Sequence, residues 1–348
     1  MNLDEVLHDI QNLSNLFGPP GEEERVRDYI QKNFSNIVDK IWSDNLGNLF
    51  LEKRGDEEYP TIMLAAHMDE VGLLITHIEK NGFLRFATLG GIDPRTLYAQ
   101  KILIQGEEGF VKGYIGATPP HLLPKDFEKK VPDVTDLFID IGVSSKEEAE
   151  ELGVFIGAKA VYDSTFMKIS KNRVMGKALD DRVGIAVMLN VLKELKSSPY
   201  NIIAVATIQE EVGLRGAKIS TWNIEPEYAL ILECTAAGDV PGAPSHKMST
   251  QLGKGPAITI ADKSLITHPK VFKALVEAAK ENNIPYQFKQ MMVGGTDAGA
   301  ISLTRDGIPA GVISTPARYI HSPYAIADIR DIENQIRLAI AFIEKISK

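Results

Sequence analysis

The sequence predicts an α/β protein in which helices pack on both sides of a mixed sheet and a small β domain is inserted into the chain. Three observations carry this. Apolar residues occupy consecutive positions in Thr61 to Ala66, Ile202 to Ile208 and Tyr228 to Leu232, as in strands buried on both faces of a partly parallel sheet. Helical stripes alternate with those runs from Asp180 onward, which is the pattern of helices covering a sheet from both sides. Between about Val71 and Val161 the texture changes to short β-rich segments separated by Gly and Pro, as in a β domain.

The elements follow in order. Leu3, Val6, Leu7 and Ile10 form one helical stripe, Gly18-Pro19-Pro20-Gly21 breaks it, and Glu22 to Phe34 resumes it. Trp42 to Glu52 reads as a hairpin around Asn45 to Asn48. Inside the β-rich region, strands are expected at Leu73 to Ile78, Leu84 to Ala87, Lys101 to Ile104 and Leu137 to Ile141, with a mobile loop over Thr118 to Pro132. Then come helix Arg182 to Lys196, the two apolar strands, helix Pro269 to Asn282, strand Ala310 to Ser314 and helix Asp328 to Ile346.

A chain of 348 residues exceeds one typical core, so two domains are expected. A net charge of −9 removes the basic face that nucleic acid needs. No apolar stretch has the length of a membrane span, and Met1 to Phe17 lacks the organisation of a signal peptide. Cys234 is the single cysteine, which excludes an intramolecular disulfide and suits a reducing cytoplasm.

The chemistry concentrates at Glu210-Glu211, directly after the run ending at Ile208. One acid can hold a cation while its neighbour moves a proton. His67 and Asp69 follow Thr61 to Ala66, Asp180 and Asp181 follow Gly176 to Leu179, Glu233 follows Tyr228 to Leu232, and His321 lies in Arg318 to Pro323. Each alone reads as a solvated pair, a helix cap or a loop histidine. Together, two imidazoles and several carboxylates suit a pair of divalent ions such as Zn²⁺, Co²⁺ or Mn²⁺. Ligands in open α/β sheets collect beyond the carboxyl ends of strands, where His67, Glu210, Glu211 and Glu233 all fall.

Geometry suggests roles. His67 and His321 would each cap one ion, Asp180 would bridge, and Glu211 and Glu233 would complete the shells. On an extended backbone Glu210 points away from Glu211 and is free to act as proton shuttle. Asp69, two residues past His67, would accept the other imidazole N–H. The turn Gly294-Gly295-Thr296-Asp297 reads as a substrate-facing wall, with Gly295 allowing close approach and Asp297 as its polar contact. His121, in the expected loop, could touch substrate.

At these residues the sequence resembles the M42 family of metallo-aminopeptidases. Ala65-Ala66-His67-Met68-Asp69-Glu70-Val71-Gly72, Ala178-Leu179-Asp180-Asp181-Arg182, Gln209-Glu210-Glu211-Val212-Gly213, Gly294-Gly295-Thr296-Asp297-Ala298 and Arg318-Tyr319-Ile320-His321-Ser322 match its motifs in order, over essentially the whole chain. The resemblance implies a zinc-peptidase-type α/β/α sandwich from residues 1–68 and 163–348, with a β-barrel-like dimerisation domain at 69–162. It implies the ligand set and the Glu210 base given above, with Glu233 standing where the family often has Asp, and a cis peptide between Asp180 and Asp181. It also implies dimers assembling into a hollow tetrahedral dodecamer.

The expected activity is removal of N-terminal residues from short peptides by attack of a metal-bridging hydroxide, with Zn²⁺ and Co²⁺ both suitable. A metal-dependent deacylase, a hydrolase of the kind labelled endoglucanase among relatives, and an inactive peptide-binding assembly protein are the alternatives. Nothing in the sequence points to a preferred N-terminal side chain.

Overall fold

The computed structural model describes residues 1–346 apart from 56–58, 117, 123–130, 132 and 197. The loop expected over 118–132 lies largely outside the described residues.

Strands β1 (Lys40–Ser43), β2 (Leu49–Lys53) and β3 (Thr61–His67) precede the β-rich region. That region supplies β4 (Gly72–Ile78), β5 (Leu84–Leu89), β6 (Lys101–Gln105), β7 (Phe110–Gly116), β8 (Phe138–Asp140) and β9 (Lys159–Tyr162). These close into an antiparallel barrel in the order β4-β5-β8-β7-β6-β9. The barrel has its own apolar interior, including Leu73, Ile75, Leu84, Ile102, Ile104 and Ile139.

After the barrel come β10 (Met167–Ser170), β11 (Arg173–Gly176), β12 (Asn201–Thr207), β13 (Tyr228–Ala236), β14 (Ala257–Thr259), β15 (Gln287–Lys289), β16 (Ala310–Arg318) and β17 (Ala325–Asp328). With β1 to β3 they form one mixed sheet, ordered β1-β2-β12-β3-β13-β16-β17-β11-β10, while β14 pairs with β16 and β15. Its centre is parallel: β12 pairs β3 with Thr207 opposite His67, and β13 pairs both β3 and β16.

The consecutive apolar positions are explained by two covered faces. Along β3, Ile62, Leu64 and Ala66 enter one core, and Met63 and Ala65 enter another. Helices α1 (Leu3–Asn15), α4 (Leu179–Glu194), α6 (Pro269–Glu281) and α8 (Ile329–Ile346) share the first side. Helices α5 (Arg215–Ile224) and α7 (Asp297–Ser302) pack together on the second. The expected α/β/α sandwich with an inserted barrel is therefore the observed architecture. Helix α2 (Glu24–Phe34) adds Val26 and Ile30 to the first core, and α3 (Lys146–Glu151) belongs to the barrel.

Of two local features, the one at Asp180 follows the sequence-based expectation and the one at Glu210 does not. Helix α4 is regular from Arg182, as expected, and its first residues from Leu179 are interrupted by non-helical angles at Asp180 and Asp181. Their peptide bond is cis. The chain is not extended at Glu210: Gln209 has φ +55°, and Gly213 and Leu214 both donate to the Glu210 carbonyl, which closes a turn.

Candidate active site

Strands β3, β12 and β13 are parallel neighbours, so their carboxyl ends share one edge of the sheet. His67 ends β3, Glu210 and Glu211 lie just past β12, and Glu233 lies near the end of β13. The turn after β16 brings in His321, and the start of α4 brings in Asp180. His67, Asp180, Glu210, Glu211, Glu233, Gly295 and His321 all line one cleft of about 440 Å³.

Asp180 sits between the two imidazoles. His67 Nε2 is 3.4 Å from its Oδ1, and His321 Nε2 is 3.2 Å from its Oδ2. Glu233 Oε2 lies 3.9 Å from His67 Nε2, and Glu211 Oε1 lies 3.0 Å from His321 Nε2. Donors about 2.1 Å from a tetrahedral ion are about 3.4 Å apart, so both clusters have the spacing of a metal shell.

Hydrogen bonds to the far ring nitrogens orient both imidazoles. His67 Nδ1 is 3.0 Å from the Asp69 carbonyl, and His321 Nδ1 is 2.7 Å from the Gly91 carbonyl, on the segment after β5. A carbonyl only accepts, so both Nδ1 atoms carry the proton and both Nε2 atoms face the acids.

The Asp69 carboxylate, expected on the His67 ring, lies 3.5 Å from its Nδ1 and has a second task. It accepts the backbone N–H groups of Glu210 (3.0 Å) and Glu211 (3.1 Å). The turn aims those two amides the same way, so one buried carboxylate receives both. This also overturns the expectation that Glu210 and Glu211 diverge: oxygens of both lie within 4.8 Å of a His67 nitrogen and of one another.

The charges are arranged as for a cation site. Among the described residues no Lys or Arg forms an ion pair with Asp180, Glu210, Glu211 or Glu233, whose only such contacts are to His67 and His321. Glu233 Oε1 is buried with no hydrogen-bond partner. Burial pushes the Glu210 carboxyl well above its usual range; His67 opposes this, and the Glu233, Asp297 and Glu211 charges add to it. Burial and the Asp181 charge do the same to Glu233. For Asp180 burial works upward, but hydrogen bonds from His321 and His67 prevail and hold it low. Buried carboxylates of this kind require opposite charge nearby, and the N/O donor set fits divalent ions of the Zn²⁺ or Co²⁺ kind.

Asp297 and His121 are placed elsewhere. Asp297 begins α7 beneath the wall, is 1% exposed, and accepts a hydrogen bond from Thr207 Oγ1; Gly294, Gly295 and Thr296 line the cleft instead. His121 is exposed in the short turn Pro120–Leu122 and is not part of the cleft lining.

Several supporting residues were given no role by the sequence. Asp181 is buried, and its carboxylate accepts from the His67 and Gly184 amides at 3.3 and 3.0 Å. Glu70 is buried between Lys177 Nζ (2.6 Å) and Arg182 Nη2 (3.5 Å) under the site. Glu23 is 5% exposed, and its Oε1 receives the amides of Gly21 (2.8 Å) and Gln209 (3.2 Å), tying the break before α2 to the Glu210 turn.

Burial, aided by the Asp69 charge and opposed by the Gly21 amide, raises Glu23 from 4.5 to about 7. A raised folded-state value means that stability is complete below 4.5 and is lost as pH climbs through about 7. Glu23→Gln keeps the acceptor and removes the titration, so the variant should outlast wild type at pH 8 by up to about 3 kcal/mol. Urea unfolding of metal-loaded protein at pH 5 and pH 8 reads this; an equal pH dependence in both proteins refutes it.

Comparison with known proteins agrees with this geometry. The family model described as M42 glutamyl aminopeptidase matches residues 47–338. A lysyl aminopeptidase of Pyrococcus furiosus is 36% identical over 324 residues, covering 92% of this chain and 91% of the relative. A glutamyl aminopeptidase of Lactococcus lactis is 32% identical over 333 residues, covering 94% and 92%. The solved aminopeptidase of Desulfurococcus kamchatkensis is 44% identical with a TM-score of 0.95, covering 99% of this chain and 95% of that one. The TET1 peptidase of Pyrococcus horikoshii, described as assembling into a tetrahedron or a large octahedral shell, is 35% identical with a TM-score of 0.85, covering 97% and 98%. A family match over most of the length, a shared fold and a cleft of this composition place the chain in the M42 family of aminopeptidases, hydrolases that act on peptides.

Proposed function

We propose that the cleft removes the N-terminal residue from short peptides while holding two divalent ions. The observation that carries this reading is Asp180, with one carboxylate oxygen toward each imidazole. His67, Asp180 and Glu233 would hold one ion; His321, Asp180 and Glu211 would hold the other. Such ions supply Lewis acidity, which polarises the scissile carbonyl and makes a water deprotonable near neutral pH.

The chain's own residues do the rest. Glu210, kept proton-hungry by burial, takes the proton of the attacking water and returns it to the leaving amine. Asp69 holds the turn that aims Glu210, and the Gly91 and Asp69 carbonyls hold the imidazoles. Gly295 in the wall lets the peptide backbone approach closely.

Residues 1–68 and 163–348 act as the catalytic domain, and 69–162 as an inserted domain used for dimerisation. The assembly proposed is a tetrahedral dodecamer, one of the two kinds of particle, tetrahedral or octahedral, described for the TET1 peptidase. A lone buried thiol, Cys234, suits the cytoplasm.

The test is a metal analysis of the purified protein beside hydrolysis of aminoacyl p-nitroanilides. Two Zn²⁺ or Co²⁺ ions per chain are expected, with His321→Ala reducing the count to about one. Full activity in a sample holding no divalent ion ends the proposal.

A further inference from the structure

The two imidazoles of the cleft are not supported in the same way. His67 ends β3, is paired to β12 through Thr207, and its side chain is 2% exposed. Its ring and its amide are held from within the sheet edge, by the Asp69 carbonyl and the Asp181 carboxylate. His321 lies on the loop between β16 and β17, its side chain is 27% exposed, and it has φ +60°, with Tyr319 at φ +59°. Left-handed backbone at residues other than glycine is costly and persists where neighbouring contacts impose it.

Those contacts come from the barrel. The Gly91 carbonyl, 2.7 Å from His321 Nδ1, belongs to the segment between β5 and β6. Its neighbour Ile92 packs against the barrel interior, and Thr96, bonded to the Asp93 carbonyl, has its hydroxyl 3.3 Å from that of Tyr162 on β9. On the other side of His321, the Ser164 hydroxyl donates to the Pro323 carbonyl at 2.8 Å. Ser164 follows Asp163, whose amide donates to the Lys101 carbonyl of β6 at 2.9 Å. The barrel also abuts Glu211: Gly90 has φ +89°, and a Cβ there would lie 3.0 Å from Glu211 Oε2 and 2.8 Å from Val71 Cγ1. Glycine at 90 is what lets the barrel close to this distance. Among the described residues, no hydrogen bond or ion pair joins residues 72–162 to His67 or Glu233.

We infer that the ion position formed by His321, Asp180 and Glu211 is an inter-domain site, held in shape by the barrel, whereas the position formed by His67, Asp180 and Glu233 is complete within the sandwich. The inference rests on the two-ion reading and deepens it. Barrel docking and occupancy of the His321 position are then linked, so each strengthens the other by the same factor.

The holoenzyme is dialysed against buffers of stepped free Zn²⁺, and bound zinc is counted per chain. Ser164→Ala removes one barrel contact, touches no proposed ligand and leaves every left-handed residue in place. It should weaken one of the two ions by about 3- to 10-fold, the value of a neutral hydrogen bond, and Ser164→Thr should recover that affinity. Gly90→Ala, which pushes the barrel segment off Glu211, should cost the same ion about 10- to 100-fold. In a His321→Ala background, which keeps the other ion, neither change should alter zinc affinity. Hydrogen exchange gives the reciprocal reading: residues 90–93 and 319–322 should exchange more slowly on the second equivalent of zinc and not on the first.

Equal weakening of both ions overturns the inference, as does exchange in those segments that ignores the second equivalent. A loss in Gly90→Ala without one in Ser164→Ala overturns it too, because the effect would then be direct contact with Glu211. Wild type that holds no more than one zinc at any concentration would instead overturn the two-ion reading itself.

Discussion

Glu210→Gln should lower kcat by about 10²- to 10⁴-fold, the range that general base catalysis contributes, while the protein keeps its metal and its fold. Glutamine has nearly the same shape, so the steric outline of the cleft persists. The turn persists as well, because Asp69 holds it through the Glu210 and Glu211 backbone amides and not through the Glu210 side chain. What disappears is the proton acceptor. Steady-state kinetics beside metal analysis of the same sample separates the possibilities. Loss of activity with both ions retained supports the base assignment; turnover within a few fold of wild type assigns the proton to another group.

Chelation should abolish activity and destabilise the protein, and the destabilisation should be larger at pH 8.5 than at pH 6. The sign follows from the acids and imidazoles together. Burial raises Glu210 and Glu233 well above 4.5, so the metal-free folded state holds protons that the unfolded chain has released. Burial works to lower His321, yet its bonds to Asp180 and Glu211 raise it from 6.5 to about 11. Both kinds of shift give stability that is lost as pH rises through the folded-state values. Asp180 is shifted the other way, but its contribution is complete above the ordinary carboxylate range and does not change between these two pH values.

Bound cations take the place of those protons, so ion binding grows stronger with pH. Free ion at a thousand times its Kd adds about 4 kcal/mol of stability. Melting curves with and without chelator at the two pH values test this, with Zn²⁺ or Co²⁺ added back to restore both activity and melting temperature. Identical melting in all four conditions, with activity intact, would sink the two-ion reading.

The expectation that failed at Glu210 has a plain cause. It assumed that the chain stays extended past the strand end, where period-two alternation tells which side chains share a face. Gln209 leaves the extended region, and from that residue on the hydrogen bonds decide orientation. Asp297 fails for a related reason: a polar residue beside two glycines reads as accessible, yet α7 starts there and carries it under the sheet edge to Thr207.

The sequence by itself determined the sandwich, the inserted barrel and the membership of the acid and imidazole cluster. Burial on both faces forces unbroken apolar runs, and a strand that ends at the sheet edge presents its next polar residue there. Tertiary structure alone decided which atoms meet. The division of the Asp180 oxygens between two imidazoles and the Gly91 carbonyl behind His321 both join residues distant in sequence. Such contacts arise from strand order and turn geometry, which no local pattern of residues encodes.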